Sequence, residues 1–314
     1  MGFPTTTAGR ILIGGEEYVS SGSQLFNLAT YFLNLLPKNK LTSPVTVDQM
    51  PFSGSIKTYN VDYQTPDSAG TATAYLTGVK GNYYTTGVNA HVQVKDCDAI
   101  KGNEVESVLM KAKRAGKGTG IVTTTRINHA SPSGAYAHSA YRKWYDHTNI
   151  DEQEDMTNEE KKSCVDLAKQ FVEQQKYIDV ALGGGYKHFC KKSTTEDSKC
   201  YRTDVDYREQ FRNDNNIDYM ESRDELLSLI RAGTESMVEL VRRQLIFFKE
   251  SIVGMFAEKE MAYETEKLND PELLAKEPSL SEMTKLALTR LEQEENGYYL
   301  FVEGGRIDHG HHAK

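Results

Sequence analysis

The run Tyr298-Tyr299-Leu300-Phe301-Val302, followed at once by Glu303-Gly304-Gly305-Arg306-Ile307-Asp308-His309-Gly310-His311-His312, decides the fold. Five apolar residues with no alternation read as a strand buried on both faces. An acidic residue and two glycines then break the strand, and polar residues open a helix. Two further segments share this form. Gly120 to Thr125 (GIVTTT) is β-branched and leads into Arg126-Ile127-Asn128-His129. Tyr177 to Leu182 (YIDVAL) ends at Gly183-Gly184-Gly185. Helical spacing lies between the strands. Val105, Val108, Leu109 and Ala112 share a face within 104–115. Met283, Leu286, Ala287 and Leu291 share one within 281–291. Strand, loop, helix, strand predicts an α/β fold: a central, mostly parallel sheet flanked by helices on both faces. Ligands of such sheets bind at the carboxyl ends of the strands.

Composition agrees. The chain has 314 residues, 38% hydrophobic and 26% charged, enough apolar material for a sizeable core. A net charge of −8 argues against a general nucleic-acid binder. It does not argue against a small phosphate ligand, because a local cation can dominate a small site. No charge-free run is long enough to span a bilayer, and Met1-Gly2-Phe3-Pro4 lacks the pattern of a signal peptide. Cysteines stand at 97, 164, 190 and 200, with no Cys-x-x-Cys pair. An even count suits two disulfides in an oxidising compartment, while four buried thiols remain the alternative.

Three strings carry chemistry. Asp308 and His312 are four apart, so on a helix they share a face and can grip one metal ion. Glu303 sits at a strand end with glycines behind it, where backbone can approach an ion. In Thr65-Pro66-Asp67-Ser68-Ala69-Gly70-Thr71-Ala72, either Asp67 or Ser68 can cap an Ala/Thr-rich helix. Ser68 then lies at the positive end of a helix dipole, which favours an anion. After GIVTTT, Ser131 offers a hydroxyl suited to Mg²⁺, and Arg142 a planar fork suited to two phosphate oxygens. Taken alone, each also fits an ordinary cap, loop or surface residue.

Taken together, the strings resemble the alkaline phosphatase family of animals. They are PDSAGTATAYLTGVK (from Pro66), GIVTTTRINHASP (from Gly120), AYAHSAYRKWY (from Ala135), DVALGGGYK (from Asp179), EPSLSEMTKLAL (from Glu277) and LFVEGGRIDHGHH (from Leu300). The resemblance implies hydrolysis of phosphate monoesters at alkaline pH through a phosphoserine at Ser68. It implies that Arg142 holds the phosphate and that Asp67 orients Arg142. Ser131 and Glu303 correspond to Mg²⁺ ligands, with His129 behind them. Asp308 and His312 correspond to Zn²⁺ ligands, and His309 reaches the phosphate through water. Two Zn²⁺ and one Mg²⁺ per site, a homodimer, and a lipid anchor outside the cell are expected by the same resemblance. So is a Cys97–Cys164 bridge. A Cys190–Cys200 bridge would close the short polar loop between them.

The chain also departs from the family pattern. Phe3 to Leu12 (FPTTTAGRIL) resembles the stretch just after the family's Gly-Asp-Gly-Met-Gly, so the metal-bridging aspartate is not found. The Asp-His pair of the second zinc and the distant histidine of the first are not found either. The expectation is one domain over 1–314, incomplete at both ends, with atypical insertions at 17–43 and 231–254. The alternative function is a phosphatase-like protein that turns over nothing.

Overall fold

The computed structural model describes residues 56–193, 199–243 and 248–312. The chain divides into two compact units, Met1–Lys57 and Thr58–Lys314. The sheet and every candidate site residue belong to the second, and the stretch 17–43 lies outside the described residues.

Five strands form one sheet: β1 Gly118–Arg126, β2 Val180–Gly184, β3 Ile217–Met220, β4 Ser251–Met255 and β5 Tyr298–Glu303. Their order is β3-β4-β2-β1-β5, and every pairing is parallel. Parallel neighbours need crossover connections, and helices supply them. The consequence for function is direct: all five carboxyl ends fall on one edge of the sheet. The strands legible in the sequence are β1, β2 and β5, each with bounds shifted by a few residues; β5, however, lies at an edge of the sheet with none of its residues buried, where its apolar run predicts a strand covered on both faces. Strands β3 and β4 are additions to that reading. Of the stretch 231–254, residues up to Arg243 continue the helix Arg223–Arg243, and Ser251 to Gly254 form most of β4.

Side chains alternate across the sheet and feed two cores. Ile121, Ala181 and Val253 join Leu109, Leu167, Phe171 and Phe189 on one face. Val122, Val180, Leu182 and Ile252 join Met283, Leu286, Ala287 and Leu291 on the other. The first face is covered by helices α1 Ser68–Thr77, α2 Val108–Arg114 and α3 Leu167–Gln174, and the second by α4 Leu280–Leu291. Helix α4 begins where a capping box is available. The Ser279 hydroxyl accepts from Glu282 N, and the Glu282 carboxylate accepts from Ser279 N. A cap of this kind contributes about 1 kcal/mol.

Both disulfides are present, Cys97–Cys164 and Cys190–Cys200. They close separations of 67 and 10 residues. Loop entropy predicts that they contribute ~4 and ~3 kcal/mol respectively. Peptide mapping without reductant should recover both links. Four alkylatable thiols in protein from an oxidising compartment would contradict them.

A second clasp is ionic. Arg202 and Asp166 are both buried, and their guanidinium and carboxylate meet at 2.9 Å. Asp204 takes the other side of the fork at 2.6 Å, and the guanidinium lies 4.6 Å from the centre of the Tyr207 ring. Removing one partner of a buried pair strands the other charge. Arg202→Met is therefore expected to lower stability by about 3–5 kcal/mol. Equilibrium unfolding in urea checks this, and a loss below about 1 kcal/mol would show that Asp166 is not left stranded.

Candidate active site

Helix α1 carries Ser68 as its first residue. Pro66 stops any earlier start, and Asp67 is the cap, in extended conformation. Its carboxylate accepts from Ala69 N at 3.0 Å and Gly70 N at 3.3 Å. Gly78 ends the helix in the left-handed conformation. The same carboxylate does three further things. It accepts from Asn60 Nδ2 at 3.1 Å, from Tyr84 N at 3.0 Å and from Arg142 Nη1 at 2.9 Å. Asp67 thus joins the start of the helix to a guanidinium 75 residues further along the chain. The Nε of Arg142 is buried and has no hydrogen-bond partner.

Tyr84 completes this corner. Its φ is +66°, rare for a residue with a Cβ. In that conformation its N–H donates to Asp67, and its carbonyl accepts from Arg142 N at 2.8 Å. One strained residue ties both members of the pair by backbone alone. Nothing in a tyrosine's chemistry signals such a role from sequence.

The second corner stands at the ends of β1 and β5. Thr123 pairs in register with Glu303. The hydroxyls of Thr123 and Thr125 reach Glu303 Oε2 at 2.7 and 3.3 Å. Gly305 must be glycine here, because a Cβ would meet Thr125 Cγ2 at 2.3 Å. Tyr75, on α1, stands between Glu303 and Ser131. Although 53% of the residue is exposed, partial burial of its phenol and the charge of Glu303 push it above its ordinary range, against a hydrogen bond with Ser131. Ser131 and His129 are both buried. Burial first, then the charges of Arg126 and Arg142, hold His129 well below the usual imidazole range. Its Nδ1 has no partner, and its ring meets that of His309 edge-on at 5.2 Å.

The third corner is the helix Arg306–His312. As the spacing predicts, Asp308 and His312 share a face, with Oδ2 and Nε2 3.2 Å apart. They face solvent, with side chains 64% and 78% exposed.

Behind these corners lies a polar cluster that the sequence did not reveal. The stretch from Asp146 to Glu160 reads as a solvated loop or a helix start; a helix does start at Asp146, but Asp146 itself is fully buried. It caps a short helix, and its Oδ2 lies 2.5 Å from His188 Nδ1. Burial lowers the His188 pKa, and the Asp146 partner opposes that shift.

Zinc wants four donors in a tetrahedron, or three and a water. Asp308 and His312 supply two, paired to each other. Mg²⁺ wants six oxygens. Glu303 offers one carboxylate already engaged by two hydroxyls, beside Ser131. Among the described residues no group of three or more His, Cys, Asp or Glu is placed to hold an ion. The donors in these residues do not complete a zinc or a magnesium site.

Comparison with known proteins agrees with the geometry. Residues 33–314 match the family described as alkaline phosphatase, a range that includes the block 231–254. The tissue-nonspecific alkaline phosphatase of Gallus gallus is 38% identical over 99% of this chain and 54% of its own length. That of Rattus norvegicus is 39% identical over 99% of this chain and 53% of its own length. The chain thus spans about half the length of these curated relatives. A crystal structure of a cold-active alkaline phosphatase from Shewanella sp. aligns with a TM-score of 0.62 at 22% identity, over all of this chain and 56% of that one. By the match over residues 33–314, the chain belongs to the alkaline phosphatase family.

Proposed function

We propose that this protein, at full length, hydrolyses phosphate monoesters at alkaline pH through a phosphoserine on Ser68. One observation carries the reading. The Asp67 carboxylate joins the first turn of the Ser68 helix to Arg142 at 2.9 Å, and a buried Arg142 N–H remains unpartnered beside it. A dianionic phosphoryl group suits that place. The helix start offers positive potential, and the guanidinium offers donors to phosphoryl oxygens. Catalysis of phosphoryl transfer is mostly positioning and charge neutralisation. Ser68 Oγ forms a bond to phosphorus as the ester oxygen leaves, and the serine proton ends on the leaving alcohol. Water then attacks the phosphoserine, releasing inorganic phosphate and returning the proton to Ser68.

Alkaline phosphatases generally use zinc and magnesium. Ser131, Glu303, Asp308 and His312 would contribute to such ions, with His129 and His309 beside them. Further donors would have to come from outside the described residues. Two disulfides suit an oxidising compartment. Among the described residues no helix is long and apolar enough to cross a membrane. By family resemblance, the full-length chain would form a homodimer held outside the cell by a lipid anchor.

The test is chemical trapping. Full-length protein is mixed with a phosphate ester labelled at phosphorus, quenched in acid and digested. Label is expected on the peptide containing Ser68, at no more than one per chain. Turnover without protein-bound label, or label on another residue, would overturn the reading.

A further inference from the structure

Arg126 is the last residue of β1 and lies on the edge of the sheet where the site is built. Its charge bears on His129, but its own contacts lie elsewhere: its side chain is only 12% exposed, and an aromatic ring, a carboxylate and an imidazole stand around its guanidinium. Its guanidinium carbon sits 3.9 Å from the centre of the Tyr145 ring, a stacking distance. Nε lies 3.1 Å from Glu260 Oε1, close enough for an ion pair but without the alignment of a hydrogen bond, and Nη1 lies 3.4 Å from His188 Nε2. The far side of His188 is committed to Asp146 at 2.5 Å. A neutral imidazole suits this line. Its Nδ1–H donates to Asp146, and its Nε2 is left to accept from Arg126. Burial favours that neutral form. A proton on Nε2 would instead set two cations 3.4 Å apart. The chain end of β2 makes room for the stem. Gly185 has φ +104°, and a Cβ there would meet Arg126 Cβ at 2.8 Å.

Two of these three contacts lead to one short strap, Tyr145 directly and Asp146 through His188. Tyr145 is three residues beyond Arg142, and Asp146 is next to it. Asn128, two residues beyond Arg126, donates to the Tyr145 carbonyl at 2.9 Å. At the other end of the strap, Arg142 N donates to Tyr84. The strap is thus pinned at its head by Tyr84 and at its tail by β1. A long, rotamer-rich arginine binds phosphate well only where its backbone is held.

We propose that Arg126 is a positioning residue for Arg142: stacked under Tyr145 and braced by Glu260 and by the His188–Asp146 pair, it fixes the strap from which Arg142 reaches the phosphate. This rests on the reading of Arg142 as the residue that holds phosphate. The role acts through binding, so it predicts a particular kinetic pattern.

The test is a double-mutant cycle in the full-length enzyme, with p-nitrophenyl phosphate as substrate and inorganic phosphate as inhibitor. Arg126→Met is expected to raise KM and the inhibition constant of phosphate together, by about tenfold, with kcat within about threefold. In an Arg142→Ala background the same change should add less than about twofold, because the residue it positions is gone. Equal factors in both backgrounds would overturn the proposal, as would a fall in kcat with KM and phosphate inhibition unchanged. If Arg126→Met yields no folded protein, Tyr145→Leu removes the same stack from the other side and is read by the same cycle. Arg142→Ala alone separates the two layers. If it leaves phosphate inhibition unchanged, the reading of Arg142 fails and the proposal with it. If it weakens inhibition while the cycle is additive, only the role of Arg126 fails.

Discussion

Ser68→Ala is expected to lower turnover of a phosphate ester by about four orders of magnitude, equivalent to ~5.5 kcal/mol in the barrier. The oxygen that would carry the phosphoryl group is removed, and the neighbouring hydroxyl is committed elsewhere. Thr71, one turn on, has its hydroxyl hydrogen-bonded back to the carbonyls of Asp67 and Ser68. The fold should be indifferent to the change. The cap of α1 is Asp67, not Ser68, and alanine is a good residue for a first turn. The melting temperature should therefore stay within about 2 °C of the parent while activity disappears. Arg142 and Asp67 remain in place, so phosphate binding should survive as well. Near-normal turnover in the folded variant would remove Ser68 from the mechanism.

The variant is also informative about what sequence can and cannot show. Ser68 lies in a local pattern, Pro then Asp then Ser before an Ala/Thr run, and the helix starts there. Asp308 and His312 are likewise local, and they share a face as their spacing requires. The strands β1, β2 and β5 were legible because their β-branched or aromatic runs are bounded by glycine or polar residues. Strand β3 is Ile-Asp-Tyr-Met on a sheet edge, four residues of mixed polarity with no period to detect. Strand β4, Ser-Ile-Val-Gly-Met, is buried throughout, but four of its five residues fall at the end of the stretch 231–254 that reads as an insertion. What escaped entirely is non-local. Asp67 and Arg142 lie 75 residues apart, and only the family resemblance paired them. Asp146 looks solvated beside its acidic neighbours, and its partner His188 is 42 residues away. Thr123 and Thr125 point at Glu303 only once the register of β1 against β5 is fixed. The backbone of Tyr84 adopts a conformation that no side-chain preference announces.

Residues 1–314 on their own are expected to retain little zinc and to turn over far less ester than the full-length protein. The reason is the state of the pair that corresponds to zinc ligands of the family. Asp308 and His312 sit on a seven-residue helix, and their side chains face solvent. Their carboxylate and imidazole are paired at 3.2 Å, so binding an ion must first break that pair. Two donors leave half of a tetrahedron to water, and exposed side chains must lose rotamer freedom to bind. Complete structural sites contribute ~10–16 kcal/mol of binding free energy, and two loose ligands deliver a small part of that. The activity should fall with the metal. A serine hydroxyl is a weak nucleophile unless a base or a metal activates it. Among the described residues no group of three or more His, Cys, Asp or Glu is placed to hold such an ion. The check is to load residues 1–314 and the full-length protein with zinc and magnesium side by side. Both are passed through a desalting column, and bound metal and turnover are measured. The shorter chain should emerge with well under one zinc, and with turnover lower by at least about a hundredfold. One or more zinc ions retained by residues 1–314, with turnover matching the longer protein, would show that its own donors suffice.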